Sequence, residues 1–371
     1  MNYGLLSALT LLALAPAVAA QENGDRFAGF PPINKTRPGN KSFAVLTSDV
    51  LPGLIRPKWT RAMTDLGAWP AMTRFKSDIV LVYIHWDGHR YKKLEATGEG
   101  RGLRSSDEGK SWKAFKVPPC RITPELVAVG DTLFLFDPHA DGPTVRTTRN
   151  LLDWTEAKQV YEPGFNLWGI VYDAGTKKFW CAPHAIPRKP TDPPRQIRLI
   201  TSTDGVKWQT VSTILKAANM SESTLRVLAD GTMRVMIRRK YGRDHDVATA
   251  GPPYTEWKID TRPEIVEGEH LFEVGGQVFL ASRANLAGKP QAKEVPDLFD
   301  KRKSYSMVYR VDAECRLTPW AVMDSMGDCS YPFLVETPTE VLCAYYSQHQ
   351  DRVCKVYLCG YDKTEFLKGR R

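Results

Sequence analysis

The chain has 371 residues, of which 42% are hydrophobic, 10% aromatic and 25% charged, with 27 Gly and 26 Pro spread along it. These values exclude collagen-like, low-complexity and disordered classes, because 10 Trp, 14 Tyr and 14 Phe supply ample core material. An excess of 51 basic over 42 acidic residues gives a formal charge of +9, which favours acidic partners without naming one.

Residues 1–20 read as a secretory signal. An apolar run from Gly4 to Val18 ends in the small residues Ala17, Val18, Ala19 and Ala20. The run is too short for a membrane span, and no second apolar stretch approaches the roughly 20 residues a span needs. The mature protein is therefore expected to be exported, periplasmic or secreted, and monomeric. Residues 21–41 form a polar lead-in rich in Pro, Gly and Asn, and a single domain is expected over residues 42–371.

Within that domain the pattern is of short apolar runs separated by turn residues, with almost no helical periodicity. Ile79–Ile84, Thr132–Phe136 and Val278–Ala281 are examples. Such spacing predicts an all-β sandwich, barrel or propeller. Seven cysteines (Cys120, Cys181, Cys315, Cys329, Cys343, Cys354 and Cys359) are too few for a disulfide framework in a chain of this length. One or two bridges among the last four would pin the C-terminal segment; otherwise the cysteines serve as small buried hydrophobes. No Cys or His spacing matches a structural zinc site, so no metal and no cofactor is expected.

A repeat organises the strands. Ser105-Ser106-Asp107-Glu108-Gly109-Lys110-Ser111-Trp112 recurs, one residue shorter, as Ser202-Thr203-Asp204-Gly205-Val206-Lys207-Trp208. Weaker copies end at Trp154 and Trp257, so the four Trp lie 42, 54 and 49 residues apart, the size of one four-stranded propeller blade. In each copy Asp suits a turn by accepting backbone N–H bonds, Gly by its positive φ, and Trp by packing the turn onto the blade.

The Ser-x-Asp-x-Gly-x-x-Trp pattern resembles the Asp-box, or BNR repeat, of the sialidase (neuraminidase) superfamily. That resemblance implies a six-bladed β-propeller of four-stranded antiparallel blades. It also directs attention to particular residues. After the strand Ile79–Ile84 come His85, Trp86 and Asp87; the resemblance makes Asp87 the acid/base, and His85, at the end of the strand, is expected to bind substrate. In Ser221–Arg238 a Glu opens one strand, Asp230-Gly231 turns the chain, and the next strand delivers Arg238 followed by Arg239. This is similar to the family's hairpin, in which the Glu serves as base toward a catalytic Tyr and the Arg clamps a substrate carboxylate. Phe279–Arg283 places Arg283 at the end of a further hairpin, as a second clamp residue. Tyr331, in Cys329-Ser330-Tyr331-Pro332, is the implied nucleophile, activated by Glu222. A phenol has a reference pKa of about 10, so it needs such a base. The family's opening Arg has no counterpart in Gly67-Ala68-Trp69-Pro70-Ala71, and neither Arg56 nor Arg74 has a convincing spacing.

The expected function is thus a sialidase-like glycoside hydrolase removing an acidic sugar from glycans. Two alternatives stay open. One is a non-catalytic carbohydrate-binding propeller. The other is a polysaccharide lyase using His85, His139, His184, His245 or His349, each of which follows an apolar run. Basic clusters such as Arg238-Arg239-Lys240 and Lys301-Arg302-Lys303 do not indicate nucleic acid, because no recognition helix or RNA-binding signature accompanies them.

Overall fold

A computed structural model of the chain describes residues 53–86, 99–121, 123–139, 141–187, 193–239, 244–285, 304–350 and 353–369. The expected signal, the lead-in and Asp87 lie outside the described residues. The remainder is all-β, a six-bladed propeller of small antiparallel sheets, with one short helix at Lys363–Lys368. Among the described residues no helix is long and apolar enough to cross a membrane.

Each blade is a meander whose first strand lines the central channel. In blade I the strands are Ala68–Phe75, Asp78–His85, Glu99–Ser105 and Lys113–Lys116. The innermost strands of blades II, IV, V and VI are Glu125–Val129, Met220–Val227, Glu267–Val274 and Ser330–Glu336. Blade III departs from the pattern. Its innermost strand is split into Phe165–Asn166 and Val171–Asp173, and its second strand into Lys178–Cys181 and His184–Ala185. Blade VI is completed from the other end of the chain: Trp59–Ala62 pairs antiparallel with Lys355–Asp362 and forms the outermost strand.

The apolar runs found in the sequence are the second strands of their blades. Ile79–Ile84 is buried at every position, on both faces, because blades stack face to face and each middle strand is covered by a neighbour on either side. Their side chains fuse into clusters that cross blade boundaries, such as Met72, Val80 and Val82 of blade I with Leu342, Ala344 and Leu358 of blade VI.

The repeated turns join third to fourth strands. Ser105 Oγ accepts from the Gly109 N–H at 2.8 Å, Asp107 Oδ1 from the Ser111 N–H at 2.9 Å, and Trp112 Nε1 donates to the Gly109 carbonyl at 3.0 Å. Blade III repeats the arrangement with Ser202, Asp204, Gly205 and Trp208. Blade II keeps it with Thr148 and Asn150, and Leu151 adopts the left-handed conformation (φ 63°) that Gly109 takes in blade I. Blade V carries a turn of the same kind that the sequence did not reveal. There Asp312 Oδ1 accepts from the Glu314 and Arg316 N–H groups, and Cys315 is left-handed. All seven cysteines are buried and none is joined in a disulfide, so no bridge pins the C-terminal segment.

Candidate functional site

The first residues of the inner strands converge on one mouth of the channel. Those of blades I, IV, V and VI all slip register there, between Ala68 and Ala71, Met220 and Ser223, Glu267 and His270, and Ser330 and Phe333. Such a bulge bends the strand and re-aims its side chains. Trp69, Gly268 and Tyr331 sit inside these bulges with φ of 51°, 60° and 51°. At position 268 only Gly fits, since a Cβ would stand 2.5 Å from Cε1 of Tyr331. The Tyr331 ring therefore lies directly on the backbone of blade V.

The bulges assemble a cluster of alternating charge. One nitrogen of Arg238, Nη1, donates to both carboxylate oxygens of Glu222 at 2.8 Å. Its other terminal nitrogen donates to Glu267 Oε1 at 2.8 Å, and Arg283 Nε donates to Glu267 Oε2 at 2.7 Å. Arg283 also reaches the Cys329 carbonyl at 3.4 Å and lies 4.0 Å from Asp328. The side chains of Arg238, Arg283, Glu222 and Glu267 are each 13% exposed or less, so these are charges in a poorly solvated site. Tyr331 stands beside them. Its ring packs 4.9 Å from Trp168 and 5.8 Å from Tyr346, and its hydroxyl makes no hydrogen bond among the described residues.

Burial opposes ionisation of Glu222, but the Arg238 guanidinium, helped by His184, overrides it and holds the carboxyl well below the usual range. Burial, reinforced by the charge of Glu222, pushes the Tyr331 phenol well above its ordinary value. A third carboxyl joins them. Glu269 is fully buried, and neither of its oxygens has a hydrogen-bond partner among the described residues. Burial and then the Glu222 charge raise its pKa well above the usual carboxylate range, which favours its protonated form. A raised folded-state pKa means that its contribution to stability is complete below the unfolded value and is lost as pH rises toward the folded one. Glu269→Gln, which keeps the shape and cannot ionise, is therefore expected to match the native protein in urea unfolding at pH 3.5. It should exceed it at pH 7, by up to about 1.4 kcal/mol for each pH unit above the ordinary carboxylate pKa. Equal stabilities at pH 7 would mean that Glu269 ionises in the folded protein.

Of the residues singled out in the sequence, Glu222, Arg238, Arg283 and Tyr331 come together. Arg239 does not join them: it points across its own blade, donating to Asp246 at 2.8 Å, with its side chain 40% exposed. His85 ends a second strand, its Nδ1 3.2 Å from the Leu66 carbonyl, and makes no contact with the cluster. The histidines are scattered. His139 bonds to Arg121, His245 to the Glu264 carbonyl and His349 to Ser347, while His184 alone stands near Glu222. Among the described residues no group of three or more His, Cys, Asp or Glu is arranged to hold a metal. In blade I the bulge holds Trp69, and Arg74 is bound to Glu108 and the Glu336 carbonyl, at the other end of the inner strand.

Glu267 and Glu269 were not among the residues expected, although a signal existed. Glu222 and Arg238 are 16 residues apart, and so are Glu267 and Arg283. The same Glu-to-Arg hairpin spacing thus occurs in two successive blades. Deeper in the channel, His270 Nε2 and Glu125 Oε1 pair at 3.0 Å below Trp168. Beyond them a cavity of about 310 Å³ continues along the later residues of the inner strands toward Arg74 and Glu336.

No family model matches the chain, and no curated protein matches it in sequence. Solved structures do match in shape. A protein of unknown function from Dyadobacter fermentans superposes with a TM-score of 0.66 at 14% identity, covering 84% of this chain and 100% of the other. The sialidase of Trypanosoma rangeli, in complex with the inhibitor DANA, superposes with a TM-score of 0.59 at 11% identity, over 85% of this chain. The match spans 59% of that sialidase's chain. At such identities the likeness is one of fold.

Proposed function

We propose that the protein is an exported glycoside hydrolase of sialidase type, acting on an acidic sugar of a glycan. The observation that carries this reading is the gathering of Tyr331, Glu222, Arg238 and Arg283 at one mouth of the channel, each from the start or end of a bulged inner hairpin. The fold shared with the Trypanosoma rangeli sialidase supports it.

In the proposed reaction the substrate carboxylate lies against Arg238 and Arg283, whose planar guanidinium groups suit it. The Tyr331 oxygen attacks the anomeric carbon while its proton passes to Glu222. The bond to the leaving oxygen breaks, and that oxygen takes a proton from an acid, the role assigned to Asp87. Water then attacks the same carbon, giving its proton to Asp87, and Tyr331 leaves and recovers its proton from Glu222. The sum is glycoside plus water to sugar plus alcohol. A neutral phenol suits this task, because an ionised carboxylate approaching an anionic sugar would be repelled.

The test is release of a fluorogenic aglycone from an aryl α-sialoside by the mature chain. Turnover is expected, and Glu222→Gln is expected to lower it by roughly 10²–10⁴-fold, the usual worth of a positioned base. One observation favours a second reading, a glycan-binding propeller without turnover. Trp69, only 2% exposed, fills the blade I bulge, and among the described residues no third Arg is bonded into the cluster of Arg238 and Arg283. Retention of sialosides without cleavage would establish that reading instead.

A further inference from the structure

In the resting protein Glu222 is not available as a base. Both of its oxygens are held by Arg238, and the Tyr331 hydroxyl makes no hydrogen bond to it. Proton transfer from a phenol to a carboxylate in that state runs steeply uphill. Arg238 itself is anchored from the other side: Glu267 holds its second nitrogen and is in turn fixed by Arg283 at 2.7 Å. Arg238 can therefore keep its place while exchanging one carboxylate partner. Glu222 is the exchangeable one, because Arg238 is its single ion-pair partner, whereas Glu267 bridges two guanidinium groups.

We infer that the Arg238–Glu222 pair is a lock opened by the substrate: the sugar carboxylate displaces Glu222 from Arg238, and the released Glu222 turns to accept the proton of Tyr331. This rests on the glycosidase reading above and goes beyond it. The anion of the substrate acts both as the handle by which it is held and as the trigger that creates the base. A sugar of the same shape without a carboxylate would leave Glu222 locked. Selectivity would then appear in turnover as well as in binding, since without the exchange no base is free to take the proton of Tyr331. The charge of the cluster agrees. Arg238 and Arg283 are already balanced by Glu222 and Glu267, so an incoming anion is accommodated only if one carboxylate gives way.

The groups facing Glu222 are Arg238 on its own hairpin, Glu267 and Glu269 of blade V, His184 of blade III and Tyr331 of blade VI. Burial favours the protonated form of Glu269, and Glu267 remains paired with Arg283, so Glu222 is the carboxylate whose protonation changes on binding. The experiment is calorimetric titration of the mature chain with a non-hydrolysable unsaturated sialic acid analogue at pH 4.5, in two buffers of different ionisation enthalpy. A freed glutamate with a reference pKa of about 4.3 takes up about 0.4 proton at this pH, and burial, no longer offset by Arg238, raises that uptake. Wild type should show that uptake and Glu222→Gln none. The variant should also bind more tightly, on the order of tenfold, because no lock need be broken. A merely structural role predicts weaker binding by the variant. Binding by wild type without proton uptake, alongside measurable sialoside turnover, would overturn the exchange and leave the glycosidase reading standing. Absence of both binding and turnover would overturn the reading itself, and the exchange with it.

Discussion

Tyr331→Phe is expected to abolish sialoside hydrolysis, by roughly 10³-fold or more, while leaving the fold and its melting temperature unchanged. The two halves of this expectation have separate causes. The ring is what packs: it rests on Trp168, on Tyr346 and on the Gly268 backbone, and Phe keeps all three contacts. The hydroxyl is what reacts, and it satisfies no buried partner whose loss would be felt elsewhere. A Tyr held in the left-handed region, which non-Gly residues rarely occupy, is an expensive way to fill space. Retained turnover in Tyr331→Phe would remove the nucleophile from the mechanism, and a lowered melting temperature would give the hydroxyl a structural role.

Glu267→Ala is expected to be among the most destabilising single changes in the chain. It deletes the bridge between two guanidinium groups whose side chains are only 11% and 6% exposed. Arg238 keeps Glu222, but Arg283 is left with a carbonyl at 3.4 Å and Asp328 at 4.0 Å. Breaking a buried pair by removing one partner costs about 3–5 kcal/mol, because an uncompensated charge stays behind. For a domain of this size that corresponds to a fall in melting temperature of roughly 5–8 °C by calorimetry. Glu267→Gln, which keeps the shape and part of the hydrogen bonding, should fall between. An unchanged melting temperature in Glu267→Ala would show that water reaches both Arg side chains and that the cluster is not dry. Activity should fall in either variant, because Arg238 would lose the anchor that lets it change partners.

The fold was legible because its signals are local. A turn of Ser, Asp, Gly and Trp is read within eight residues, and a blade repeats it at a spacing that only a few architectures share. The hairpin from Glu222 to Arg238 was legible for the same reason: one turn, Asp230-Gly231, sets its register. Glu267 and Glu269 were harder to see. Residues two apart share a face of a regular strand, but no local pattern says that Glu267 meets Arg238 of the neighbouring blade. Arg239 shows the converse. Adjacent to Arg238, it follows the alternation and faces Asp246, where the sequence suggested a shared clamp. The electrostatic lock was out of reach of sequence altogether, since Glu222 and Glu267 come from different blades and meet only where blades IV and V pack side by side in the ring.

That ring is closed by four residues. Trp59–Ala62 covers the outer edge of Lys355–Asp362, with Trp59 laid over Gly360 and Lys58 tied to Asp362. If proteolysis removed that strand, the exposed edge would offer unpaired N–H and C=O groups along Val356, Tyr357, Leu358 and Cys359 to any passing chain. Nicking just ahead of Ala68 would thus convert a self-contained particle into an adhesive one. Its earliest symptom would be self-association in storage, well before any loss of the channel mouth.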